Sequence, residues 1–200
     1  MDKAGQILSV FTEDEIKFIS NALSRLPNAE NSGEFFGYTN GFRENDLIYP
    51  LIKRKVMTKL ENVLGCQLKL THGMLLKEEK PWPIHSDYSK GDSNPGTAII
   101  IPLNTVEVNT HTVVFNEECT TGLKDYILNN NKLEHNAKDL YNNLCSHETI
   151  DNLEYVSLMG AYKWIPGSII FWDRKLLHCS DNFLQNGLDT KTGLVIFTHD

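Results

Sequence analysis

Ile16, Ile19 and Leu23 recur at the spacing of one helix face, between a polar start at Thr12 and a stop at Pro27. Thr12 stands three residues before Glu15, the arrangement of a capping box, with Phe11 and Ile16 placed as a hydrophobic staple. The polar, Gly- and Asn-rich stretch 31–45 reads as loop. A second helix is predicted over 46–64, where Ile48, Ile52, Val56, Leu60 and Leu64 form an apolar stripe. Pro50 falls in its first turn, where proline is tolerated, and Gly65 suits its C-terminal cap.

Beyond Gly65 the period shortens. Partial alternation predicts a strand over 67–77, and further short strands over 97–103, 110–116, 154–162, 168–173 and 193–198. The span 78–95 is rich in proline and reads as loop. Between 117 and 152 the composition turns polar and Asn-rich, with one amphipathic helix predicted over 137–145, so this segment reads as an insertion. Helices first and then many short strands imply an α+β, mainly β fold. A jelly roll with two packed N-terminal helices and a partly helical insertion suits this order, as a single domain over 1–200.

Composition narrows the class. Hydrophobic residues make up 40% and charged residues 22%, as in a globular domain. Nineteen basic against 26 acidic residues give a net charge of −7, which argues against nucleic acid as the main partner. Lys53-Arg54-Lys55 reads as the solvated face of the second helix. Cys66, Cys119, Cys145 and Cys179 form no Cys-x-x-Cys pair, which fits a reducing compartment. The N-terminus lacks the pattern of a secretory signal, and no apolar run reaches the ~18 residues of a membrane span. The expectation is a soluble cytoplasmic protein.

The candidate chemistry lies in His85-Ser86-Asp87 and in His178 far downstream. Residues two apart on extended chain point to one side, so an imidazole and a carboxylate share a target. A second imidazole from His178 completes the ligand set that holds non-haem Fe(II) on one face and leaves the other open. A His-x-Asp pair arises often by chance. Its surroundings add weight: Trp82-Pro83-Ile84 is a stiff apolar approach, and Pro166-Gly167-Ser168 opens an apolar strand that precedes Leu177-His178-Cys179-Ser180.

On these residues, from about Leu68 to Thr198, the chain resembles the Fe(II)- and 2-oxoglutarate-dependent dioxygenases, near their prolyl-hydroxylase-like and phytanoyl-CoA-hydroxylase-like branches; the 117–152 region matches poorly. The resemblance implies a double-stranded β-helix, with His85, Asp87 and His178 as iron ligands. It also implies 2-oxoglutarate and dioxygen as cosubstrates, and hydroxylation of a peptide, amino acid or small metabolite coupled to formation of succinate. It requires a cation for the distal carboxylate of 2-oxoglutarate. Lys191 is the candidate, sharing one face of the last strand with Gly193, Val195 and Phe197, and Arg174 is the alternative.

A neighbour such as Ser180, Asp181 or Asn182 is expected to orient His178, and Tyr88 to reach the cosubstrate. His72 and His111 lie on predicted strands, and His111 is a competing ligand by position; His135 and His147 are expected in solvent. The insertion is expected to act as a substrate lid whose deletion spares metal binding. Two other classes fit a jelly roll: a cupin-like metal enzyme that is not an oxygenase, and a catalytically silent binding domain.

Overall fold

The computed structural model describes residues 2–25, 37–88, 91, 94–104 and 108–199, with backbone alone for 37–40. Two antiparallel sheets face each other. The larger comprises β1 (Ala4–Ile7), β2 (Gly37–Phe42), β3 (Lys69–Glu78), β4 (Pro95–Pro102), β7 (Ile169–Asp173) and β9 (Lys191–His199), ordered β1-β7-β4-β9-β3-β2. The smaller comprises β5 (His111–Glu118), β6 (Leu158–Lys163) and β8 (Leu176–Ser180), ordered β6-β5-β8. The architecture is the mainly β jelly roll that the strand pattern implies.

Strands β4, β7, β8 and most of β9 are buried on both faces because both faces are covered. On the larger sheet, Ile99, Ile101, Ile169, Phe171, Leu194 and Ile196 point outward under the N-terminal helices. Their neighbours Ala98, Ile100, Ile170, Trp172, Val195 and Phe197 point inward, toward Val114 and Leu176 of the smaller sheet. Val113, Phe115, Leu177 and Cys179 cover the other side of that sheet and meet Ala137, Leu140, Cys145 and Leu153 of the insertion. The order of layers is therefore helices, large sheet, small sheet, insertion. Each fully buried Ile, Leu, Val or Phe contributes about 1.5–3 kcal/mol.

Helix α1 (Glu13–Leu23) has the expected capping box: Thr12 Oγ1 accepts from Glu15 N, and Glu15 Oε2 accepts from Thr12 N. Pro27 lies outside the described residues. The second helix runs as α2 (Tyr49–Ile52), a π turn (Lys53–Met57) and α3 (Thr58–Leu64), and Gly65 caps it at φ 70°. Its apolar stripe repeats every four residues, more than the 3.6 of an α-helix, and the wider π turn takes up the drift. Lys53, Arg54 and Lys55 face solvent. Part of the expected loop 31–45 is strand β2, held by its pairing with β3 despite its glycines and asparagine. The insertion carries α4 (Leu123–Asn129), α5 (Ala137–Asn143) and α6 (Ile150–Leu153), two helices more than the pattern predicts. Gly167 adopts φ 81° under Phe11, whose N–H donates to the Gly167 carbonyl; a Cβ there would lie 2.4 Å from the Phe11 oxygen. Among the described residues, no helix is long and apolar enough to cross a membrane.

Candidate metal centre

His85 and His178 lie opposite each other at the edge of the smaller sheet. His85 N donates to His178 O at 3.0 Å, and His178 N donates to His85 O at 2.8 Å. This isolated bridge joins the proline-rich loop to β8. Asp87 N then donates to Arg174 O at 3.0 Å, tying the same loop to the turn before β8. The side chains of His85, Asp87 and His178 converge, with one ligand atom from each lying within 4.8 Å of the others. His178 Nε2 is 3.3 Å from Asp87 Oδ2, and His85 Nε2 is 3.8 Å from Asp87 Oδ1.

The rings are held in the form that a metal needs. Nδ1–H of His85 donates to the Pro83 carbonyl at 2.8 Å, and Nδ1–H of His178 donates to the Leu176 carbonyl at 3.0 Å. Each Nε2 therefore turns its lone pair toward the shared point. Burial pushes the His178 imidazole down to about 4, against the opposing pull of Asp87, so the ring is neutral near pH 7. Trp172 Nε1 donates to Asp87 Oδ2 at 3.0 Å. Its ring and that of His85 lie 4.6 and 4.3 Å from the His178 ring. The donor set, two neutral imidazoles and one carboxylate on preoriented backbone, fits Fe(II) or a similar divalent ion.

A cavity of about 210 Å³ adjoins the ligands. Its walls are largely apolar, with Met74, Leu76, Ile100, Trp172, Val195 and Phe197, while Glu78, Thr112 and Ser180 supply polar groups. It is of a size for a short organic acid. A second, outer cavity borders His85 and is lined by Ser86 and Tyr88 and, from the insertion, by Thr120–Leu123 and Asp125.

Other expectations fare unevenly. Lys191 is fully buried; its ammonium donates to the His111 carbonyl at 2.9 Å and stands 3.9 Å from Asp181 Oδ1. Arg174, also buried, braces the ligand loop by donating to the carbonyls of Asp87 and Thr198, both at 3.0 Å. The groups expected to orient His178 bond elsewhere: Ser180 to Glu78, Asp181 to Thr110 and His111, Asn182 to Ser146. The Leu176 carbonyl does that work instead. His111 lies outside the ligand group and pairs with Asp181 at 3.2 Å. Tyr88 lines the outer cavity, not the inner one. His147 is half-buried, not solvated, and its Nε2–H donates to the Trp82 carbonyl at 3.1 Å. Trp172 and Glu78 were not singled out from sequence. The first reads as a core residue of an apolar strand, and the second belongs to the charged run Lys77-Glu78-Glu79-Lys80.

No protein-family model matches this sequence, and neither does any curated protein. Solved structures do match it. The epimerase SnoN in complex with Fe3+, alpha ketoglutarate and nogalamycin RO superposes with a TM-score of 0.61 at 14% identity, over 100% of this chain and 79% of that one. HygX from Streptomyces hygroscopicus, with nickel and 2-oxoglutarate bound, gives 0.58 at 15% identity, over 98% and 82%. A Pseudomonas putida prolyl-4-hydroxylase gives 0.54 at 8% identity, over 99% and 93%. The fold is that of the Fe(II)/2-oxoglutarate oxygenases. Within this oxygenase fold, the expected double-stranded β-helix is confirmed across nearly the whole chain.

Proposed function

We propose that this protein is an Fe(II)- and 2-oxoglutarate-dependent dioxygenase that hydroxylates a small molecule, amino acid or peptide. The observation that carries this reading is the convergence of His85, Asp87 and His178 beside a cavity of cosubstrate size. The solved relatives with iron or nickel and the oxo acid bound support it. When bound, iron with 2-oxoglutarate and dioxygen would supply decarboxylation of the oxo acid to succinate and carbon dioxide, coupled to oxidation of the substrate.

The chain's own residues prepare that chemistry. Pro83 and Leu176 carbonyls hold both imidazoles with Nε2 free to bind. Trp172 fixes one oxygen of Asp87 and orients the carboxylate. Trp172, Val195 and Phe197 keep the cavity wall apolar and limit water. The outer cavity between Tyr88 and the insertion residues Thr120–Leu123 and Asp125 is the side from which substrate would approach His85. The free cysteines, three of them buried, suit a reducing compartment such as the cytoplasm.

An anaerobic titration with Fe(II) and 2-oxoglutarate tests the reading. The expected result is a weak visible charge-transfer band, followed in air by succinate formation that His178→Ala abolishes. Iron binding without succinate formation would favour a cupin-like enzyme. Binding of neither would leave a silent jelly-roll domain.

A further inference from the structure

The ligand group is open on one side. The His85 side chain is 35% exposed, against 10% for Asp87 and 6% for His178, and His85 borders both cavities. The inner cavity, of about 210 Å³, is of a size for the oxo acid alone. A second molecule is left with the outer cavity, of about 440 Å³, a volume usual for small-molecule sites. The lining there is of a different kind. Ser86, Thr120 and Thr121 bring aliphatic hydroxyls, Tyr88 a phenol and Asp125 a carboxylate; Leu123 is the one large aliphatic residue among the described lining residues. Asp125 is exposed in the first turn of α4, and its main-chain carbonyl accepts from Asn129 Nδ2 at 2.7 Å. Its carboxylate has no ion pair among the described residues, and the adjacent Lys124 is not part of the lining.

The surroundings carry the same sign. Segment 117–152 holds seven acidic and three basic residues. On the other side, a divalent ion, the Asp87 carboxylate and a doubly charged oxo acid leave the filled centre net negative. An anion in the outer cavity meets like charge on both sides, and a cation meets opposite charge on both. The inference rests on the proposed function and narrows its substrate. We propose that the outer cavity takes a small ammonium-bearing molecule with further hydrogen-bonding groups, and that Asp125 selects its charge. The Ser86, Thr120, Thr121 and Tyr88 hydroxyls each donate or accept, so they suit the polar groups of such a molecule. The Tyr88 ring is also of the kind that attracts a cation over its face. Carboxylates and phosphates are the class that this cavity disfavours.

The test is proton NMR of three probes of one chain length: 5-aminopentanol, 1,5-pentanediol and 5-hydroxypentanesulfonate. The whole protein is loaded with Mn(II) and 2-oxoglutarate under argon at low ionic strength, and calorimetry first measures binding of the oxo acid. Mn(II) broadens the lines of protons held near it, and the Mg(II)-loaded protein supplies the baseline. The amine is expected to broaden about two- to five-fold more than the diol, the scale of one exposed ion pair, and the sulfonate least. Added salt should shrink the difference. Asp125→Asn is expected to lower the amine to the level of the diol, and Asp125→Lys to put the sulfonate ahead. The diol signal and the melting temperature report whether each variant is folded. A wild type that broadens the amine no more than the diol overturns the inference, whatever the variants do, and bound 2-oxoglutarate leaves the proposed function standing. A folded Asp125→Asn that keeps the full preference for the amine does the same. If the manganese-loaded wild type binds no 2-oxoglutarate, the proposed function itself fails and takes the inference with it.

Discussion

His85 and His178 are joined through their backbones, each donating its N–H to the other's carbonyl. The spacing of the two imidazole rings of the candidate centre is therefore set by main chain and not by the rings themselves. Replacing a ring should remove metal binding while the bridge persists. For His178→Ala, the expected outcome is loss of measurable Fe(II) or Mn(II) binding by calorimetry. The lost ring packing and the unpaired Leu176 carbonyl should lower stability by only about 1–3 kcal/mol in urea unfolding.

Trp172 offers a subtler test. Its Nε1–H bonds to Asp87 Oδ2, while its ring packs on His178. Trp172→Phe keeps a ring and deletes the hydrogen bond. Metal affinity should fall about ten- to hundred-fold, as when other outer partners of ligands are removed. Stability should change by about 0.5–1.5 kcal/mol. A wild-type affinity in this variant would show that Asp87 is oriented without Trp172.

Arg174 carries a structural role that its sequence neighbours hide. It lies buried over the Phe197 ring at 5.6 Å and bonds the carbonyls of both Asp87 and Thr198. Arg174→Ala leaves both carbonyls short of a partner and should cost about 3–5 kcal/mol. Arg174→Lys should restore little, because an ammonium lacks the planar fork that spans two acceptors. Thermal unfolding of the two variants without metal would check this, and a full rescue by lysine would count against the bridging role.

What was legible in the sequence divides along physical lines. Local signals held: the Thr12–Glu15 capping box and the Gly65 cap rest on short-range spacing, as does the His85–Asp87 pair, while the far-downstream His178 joins that pair through residue chemistry and the family resemblance. Features set by register did not show. β2 pairs through Gly37–Phe42, whose glycines and asparagine resemble a loop. Glu78 sits in a run of charges that reads as solvated, and only its place opposite Lys191 buries it. His147 looked polar and exposed because its burial comes from the ligand loop, more than 50 residues away in sequence.

That burial has a pH signature. His147 uses Nε2–H on the Trp82 carbonyl, and its buried Nδ1 has no hydrogen-bond partner among the described residues. Burial accordingly holds its imidazole below the ordinary value of 6.5. The folded state keeps the ring neutral while the unfolded chain takes up a proton near that value. The stability is therefore present above the unfolded value and lost as pH falls toward the folded one. His72 and His178 are also held low by burial and add in the same sense. The melting temperature of the metal-free protein should fall between pH 7 and 5, and His147→Gln, which keeps a donor for the Trp82 carbonyl, should flatten part of that fall. Parallel curves for the two proteins would exclude His147 as a contributor.

The insertion packs against both segments that carry the candidate centre. Ala137, Leu140, Cys145 and Leu153 pack beneath Leu177 and Cys179, the neighbours of His178 on β8. Cys145 Sγ lies 3.7 Å from Cys179 Sγ. Glu148 Oε1 accepts from Ile84 N at 2.6 Å, one residue before His85, and His147 holds the Trp82 carbonyl. The strand and the loop that present the ligands thus both lean on 137–153. Deleting 117–152 should expose the apolar side of the smaller sheet and abolish metal binding together with folding, contrary to the expectation for a simple lid. A smaller change separates the two roles. Replacing 120–122 alone, which borders the outer cavity and contributes nothing to that core, should leave Mn(II) affinity and melting temperature near wild type and alter only substrate oxidation. A deletion of 117–152 that still bound Mn(II) tightly would show that β8 and the ligand loop hold their geometry without this support.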